Sequence, residues 1–181
     1  EEVAAFLKVT PADIVKTLIY ETDDGPVAVL IRGDHEVNEI KVKNLLRVLD
    51  LTLAGPARVQ ELTGAPVGFA GPLGLSLPIY ADQAAAGMNS MVTGANRDNY
   101  HLRQVNPGRD VKLTAVADLR SITAQDPCPR CGGNVEFLRK GLHDLETPDM
   151  VAGVQARIDA ADGEGYAAIL LGYARCNDGL V

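Results

Sequence analysis

The residues able to do chemistry are few, and most fall in or near one stretch. From Gly64 to His101 glycine recurs at 64, 68, 71, 74, 87 and 94, and proline at 66, 72 and 78. Glycine lets backbone approach a ligand or enter left-handed conformations, and proline fixes φ. Short apolar pieces of strand length, Leu75 to Tyr80 and Met88 to Val92, lie between these breakers. Loops of this kind, gathered at one edge of a sheet, expose amides that can hold an anion or a developing oxyanion. The same glycines also read as nothing more than tight turns of an α/β domain.

Lys16 interrupts the apolar run from Ile14 to Ile19. It either snorkels to solvent or marks a polar pocket. Strand alternation puts it on one face with Ile14 and Leu18. His35, in the sequence Gly33-Asp34-His35-Glu36 after an apolar run, is a ligand or acid–base candidate, and a solvated turn histidine is the simpler reading. His101 either points into the site formed by the glycine loops or is a partly buried structural histidine. Cys128 and Cys131 have the spacing of half a zinc site, with His143, and after it Asp126 or Cys176, as the nearby candidates for further ligands. A remnant knuckle, or two free thiols in a loop, fits the missing partner better. The chain has no G-x-S-x-G elbow, Walker loop or HExxH motif, and serine is scarce. A hydrolase built from these residues would use positioned water and backbone donors, a design suited to a reactive ester.

What must position these groups is one domain, or one domain and a fragment, within 181 residues. Hydrophobic content of 46% with only 4% aromatics calls for an aliphatic core. A formal net charge of −7 argues against a stand-alone nucleic-acid binder unless a local basic patch or another domain assists. No run of about 18 apolar residues occurs, so no membrane span is expected. Three cysteines make no secreted disulfide framework, and the cytoplasm is the expected compartment. Without an initiator Met, the chain reads as a piece of something longer.

In chain order, Glu1 to Leu7 predicts a short helix with Val3, Phe6 and Leu7 on one face. Ile14 to Glu21 and Val27 to Arg32 predict a hairpin, the second run buried on both faces. Val37 to Leu49 predicts a helix capped by Asn38. Leu51 to Leu53 predicts a strand and Pro56 to Leu62 a helix with Pro near its start. Tyr100 to Val105 predicts a strand, and Val111 to Leu119 contains further strand-like pieces. Val135 to Leu138 could follow as a strand. Thr147 to about Ala161 predicts a helix, and Tyr166 to Leu171 a buried strand.

Several motifs in order, VKTLIY, VAVLIRGDHEVNEIKVKNLL, GFAGPLGLSLPIYAD, GANRDNYH, VNPGRDV, ADLRSI and DPCPRCGG, make residues 1–140 resemble the editing domain inserted in bacterial prolyl-tRNA synthetase. That domain belongs to the aminoacyl-tRNA deacylase superfamily. The expected fold is α/β (α+β mixed): the resemblance implies a mixed β-sheet with surrounding helices, and the pattern of the last residues adds a C-terminal helix–strand fragment. The expected organisation is an editing domain over residues 1–125, a CxxC loop and connector over 126–141, and a tail of uncertain origin over 142–181, outside the resemblance. The implied activity is hydrolysis of alanine wrongly attached to proline tRNA, and the implied partner is the tRNA acceptor end, with parent synthetase domains if the chain is part of a longer one.

The resemblance assigns Lys16 to contact with the tRNA end. It assigns Gly68 to Pro72 (GFAGP), with Gly71 inside it, to a loop whose amides bind the terminal adenosine and orient water. His101 shapes the small amino-acid pocket, and Asp82, Gly94 and Asn96 fall in pocket-lining segments. It implies no cofactor; zinc at Cys128 and Cys131 is the one candidate metal. The ligase's ATP-binding motifs are absent, so this chain is not expected to charge tRNA. After Lys140 the sequence departs from the family, and AILLGY…C…GL is similar to a pattern in an uncharacterised α/β family. The alternative to a deacylase is a non-catalytic tRNA-end-binding or zinc-binding module derived from the same domain.

Overall fold

A run of apolar residues that does not alternate must be covered on both faces, and Val27 to Ile31 is such a run, buried throughout. The computed structural model that shows this describes residues 2–123, 125–127, 132–133 and 147–162. The chain divides into two compact units, Glu1–Ile122 and Thr123–Val181. In the first, α1 (Glu2–Leu7) and a 3-10 turn (Pro11–Asp13) lead into the hairpin β1 (Val15–Thr22) and β2 (Val27–Arg32). There follow α2 (Glu39–Leu46), β3 (Leu51–Leu53), α3 (Pro56–Thr63), β4 (Ile79–Asp82) and α4 (Gln83–Ala86). The unit continues with β5 (Met91–Gly94), β6 (His101–Val105), α5 (Pro107–Asp110) and β7 (Ala115–Ala117).

The main sheet is mixed, in the order β3-β1-β2-β4-β7. β1 pairs antiparallel with β2, Val15 opposite Arg32 and Tyr20 opposite Val27, and with β3 on its other side. β4 runs parallel to β2, and β7 parallel to β4. Parallel neighbours need long crossovers. The first contains α2, β3 and α3; the second contains α4, the antiparallel ribbon β5–β6 and α5. β2 therefore feeds two cores. Ala28 and Leu30 pack with Val15, Ile19, Ile79, Met91 and Val105. Val27 and Val29 pack with Tyr20, Val42 of α2 and Leu119.

Local chemistry explains the element boundaries. Asn38 caps α2 as expected, its side chain accepting from the Lys41 N–H at 3.2 Å. The strand expected from Leu75 begins only at Ile79, because Pro78 has no N–H for the ladder, although its carbonyl still accepts from Ala28. The piece expected from Met88 begins at Met91, because Met88 closes the turn after α4 by donating to Ala85. In α1 the side that faces the body is that of Ala4, 5% exposed, whereas Phe6 is 86% exposed. Between Val111 and Leu119 only Ala115–Ala117 pairs as a strand.

The second unit contains α6 (Thr147–Ala161), the helix expected there. Cys128, Cys131, the strand expected over Val135 to Leu138 and that over Tyr166 to Leu171 lie outside the described residues.

Asp82, at the end of β4, is 1% exposed, and both its oxygens accept backbone N–H groups. Oδ1 caps α4 at Ala84, 3.0 Å away, and Oδ2 takes Leu119 at 2.9 Å and Arg120 at 3.2 Å. One carboxylate thus ties the sheet to the segment that follows β7. Asp82→Ala leaves these donors without it and is expected to lower stability by about 3 kcal/mol. Urea unfolding reads this directly, and an unchanged midpoint would contradict it.

Candidate active site

Three segments meet beside the start of β1. The 3-10 turn delivers Ile14, which makes a parallel bridge with Val92 of β5 and so holds the β5–β6 ribbon against the hairpin. The glycine-rich loop from Val67 to Pro72 then lies on the end of β5. Gly71 and Gly94 approach so closely that a Cβ on Gly71 would fall on the Gly94 carbonyl, and one on Gly94 on the carbonyls of Phe69 and Ala70. Asn96 locks the contact. Its N–H donates to the Phe69 carbonyl at 3.0 Å, its Oδ1 accepts from the Gly71 N–H at 2.7 Å, and its Nδ2 donates to the Leu73 carbonyl at 2.8 Å. Asn96 adopts φ +52, a left-handed conformation that asparagine tolerates better than most residues.

The result is a cleft of about 300 Å³ whose lining includes Lys16, Thr17, Gly68, Ala70, Gly94 and His101. The structure therefore brings together four of the residues expected from the sequence: Lys16, Gly68, Gly94 and His101. The other four are not in the lining. Gly71 and Pro72 are buried behind it, and Asn96 is engaged with the loop backbone. Asp82 is engaged with the backbone at Ala84, Leu119 and Arg120. A second depression of about 340 Å³, near Thr22, Pro26, Leu46 and Pro78, holds none of the eight.

Lys16 is half-buried rather than extended into solvent. Its Nζ donates to the His35 carbonyl at 2.6 Å and lies 3.1 Å from Glu36 Oε1. His35 departs from the solvated turn residue expected, since its side chain is only 14% exposed. Arg32 is the reason: its guanidinium grips Asp34 through Nε and Nη2 at 2.6 and 2.9 Å, and Nη2 also lies 2.8 Å from His35 Nε2. Arginine only donates, so Nε2 accepts and the ring is neutral. Burial, and then the Arg32 charge, push the imidazole below its usual range. His35 thus serves the cleft through its backbone carbonyl. His101, paired with Gly94 across the ribbon, sets its ring edge-on to Phe69, with centroids 5.6 Å apart and planes at 64°.

Gly68 is exposed at φ +97 with open space where a Cβ would stand. Among the described residues, the N–H groups of Gly68 and Ala70 carry no hydrogen bond, which leaves two backbone donors on one lip of the cleft. Thr17 was not singled out by the sequence; its buried hydroxyl has no partner among the described residues and it lines the cleft. Alternation assigned it to the face opposite Lys16, so no pattern pointed to it. Glu36 was also missed, although the hairpin register that sets Lys16 opposite Ile31 brings the lysine near the turn at Gly33 to Glu36. Among the described residues no group of three or more His, Cys, Asp or Glu is placed to hold a metal.

A family model described as "Aminoacyl-tRNA editing domain" matches residues 1–111. Over 140 residues the chain is 54% identical to a proline–tRNA ligase of Syntrophus aciditrophicus, an alignment covering 77% of this chain and 24% of that one. It is 55% identical over 145 residues to a proline–tRNA ligase of Nitratidesulfovibrio vulgaris, covering 78% and 25%. The chain thus spans about a quarter of the length of the curated relatives it matches. Among solved structures, a candidate trans-editing enzyme for prolyl tRNA synthetase superposes with a TM-score of 0.57 at 26% identity, over 66% of this chain and 78% of that one. A hypothetical protein superposes with a TM-score of 0.59 at 34% identity, over 66% and 82%. These neighbours share the mixed sheet and its surrounding helices, and with residues 1–111 of 181 matched, the chain belongs to the aminoacyl-tRNA editing domain family.

Proposed function

We propose that the cleft hydrolyses the ester of alanine wrongly attached to proline tRNA. The observation that carries this reading is the convergence of Lys16, His101 and two free loop amides on one cleft in a chain of the editing-domain family. Proline tRNA is favoured because the curated relatives are proline–tRNA ligases and a structural neighbour is described as a candidate trans-editing enzyme for prolyl tRNA synthetase.

Among the described residues no serine or cysteine lines the cleft, and in this reading water is the nucleophile. Water attacks the ester carbonyl carbon, and negative charge develops on the carbonyl oxygen. The Gly68 and Ala70 amides are donors of the kind that hold such an oxyanion. The bond to the ribose oxygen then breaks, and that oxygen takes the proton lost by water, leaving alanine and a tRNA with a free terminal hydroxyl. The neighbouring ribose hydroxyl helps to activate the water, so no protein base is required. Lys16 meets a phosphate of the terminal nucleotide, exchanging its contacts with His35 and Glu36 for that anion.

Alanine is smaller than proline, and a synthetase pocket cannot exclude it by size. One methylene in an apolar pocket discriminates by about 1–3 kcal/mol, so a second, hydrolytic site adds fidelity. The cleft wall of Val3, Ala4, Ile14 and Leu18 suits a methyl side chain. The editing unit is taken as residues 1–125, with 126–141 as a connector and 142–181 as a separate tail.

Lys16→Ala is expected to lower kcat/KM for alanyl-tRNA hydrolysis about 100-fold, and Gly68→Val to do the same by filling the open side of the loop. Both variants should still melt cooperatively. Undiminished hydrolysis in both would contradict the assignment of the cleft.

A further inference from the structure

The rim of the cleft carries two groups that the hydrolysis does not use. The turn from Ala95 to Tyr100 grows directly out of the cleft wall, because Gly94 and His101, its flanking residues, are ladder partners and both line the cleft. The turn is held at both ends. Asn96 fixes it to the glycine loop, and Ala95 and Tyr100 close it by hydrogen bonds to the Tyr100 and Arg97 carbonyls at 3.2 and 3.1 Å.

On this fixed base the Arg97 guanidinium carbon lies 4.1 Å from the centroid of the Tyr100 ring. Tyr100 is 51% exposed, and Arg97 is exposed too. Arg32, Arg58 and Arg109 are each held by a carboxylate. Arg97 is not: among the described residues its guanidinium makes no ion pair and no hydrogen bond. Arg103, two residues beyond His101 on exposed β6, also has no carboxylate partner among the described residues. Two uncommitted guanidinium groups therefore flank His101 in a chain of net charge −7.

A half-exposed ring with a guanidinium stacked over it and no carboxylate on that guanidinium matches single-stranded nucleic acid, where a base stacks on the cation–π pair and the adjoining phosphate meets the cation. A paired stem presents no free base face to the ring. An acidic peptide would use the guanidinium and leave the ring without a partner. We infer that Arg97 and Tyr100, extended by Arg103, hold the single-stranded nucleotides that precede the terminal adenosine of the substrate. This rests on the deacylase reading for the identity of the strand. It also supplies the local basic patch that an acidic chain needs to hold RNA.

The test is fluorescence anisotropy with the whole chain at low salt and a labelled, uncharged single-stranded RNA of the tRNA 3′-terminal sequence. Arg97→Ala and Tyr100→Ala should each weaken binding about tenfold, Tyr100→Phe should keep it, and Arg97→Ala should flatten the salt dependence. In parallel, alanyl-tRNA hydrolysis should lose about tenfold in kcat/KM through KM. Hydrolysis of alanyl-adenosine, which lacks the preceding nucleotides, should lose far less. Equal RNA affinity in the wild type and both alanine variants overturns the inference, as does a wild type that binds no RNA. If binding falls as expected while the wild type hydrolyses neither ester, the RNA platform stands and the deacylase reading fails.

Discussion

The contact on which the site depends is backbone against backbone. At Gly71 and Gly94 two segments pass where no side chain fits, and this brings the loop from Val67 to Pro72 onto the end of β5. Glycine at both positions is a steric requirement there, independent of φ. Asn96 makes the approach specific by holding both sides of the loop, at Gly71 and at Leu73, while its own N–H holds Phe69. Gly68 and Ala70 then form one lip of the cleft, His101 stands on the ribbon opposite, and Gly94 lies between them.

Against that rigid wall, Lys16 is held by contacts of unequal strength. Glu36 is 82% exposed, and an ion pair with so exposed a carboxylate contributes little. The His35 carbonyl at 2.6 Å fixes where the ammonium sits. That carbonyl is itself steadied from behind, where Arg32 binds both Asp34 and the neutral His35 ring. An ammonium that is oriented but weakly paired can exchange a surface carboxylate for a substrate phosphate at small cost.

The sequence made legible those features that depend on neighbours in the chain. The unbroken apolar run at Val27 foretold a strand covered on both sides, and Asn38 foretold the start of α2. Features that depend on distant pairs were hidden. Asp82 meets Leu119 across 37 positions and Asn96 meets Gly71 across 25, and no periodicity encodes such contacts. The motif resemblance placed Asp82 and Asn96 near the pocket without showing that both are engaged with backbone. Thr17 was hidden for another reason: on the unbroken β1–β2 ladder it does face away from Lys16, and the cleft takes residues from both faces of β1. Phe6 misled the reading of α1, since apolar spacing cannot show which side of a helix of one and a half turns meets the body.

On the proposed reading, this cleft removes alanine, and not proline, from proline tRNA. The most direct measurement is deacylation of alanyl- and prolyl-tRNA bearing the proline anticodon by the whole chain at low salt. Turnover of the alanyl ester is expected, with the prolyl ester spared. Hydrolysis of both at similar rates, or of neither by a cooperatively folded chain, would contradict it.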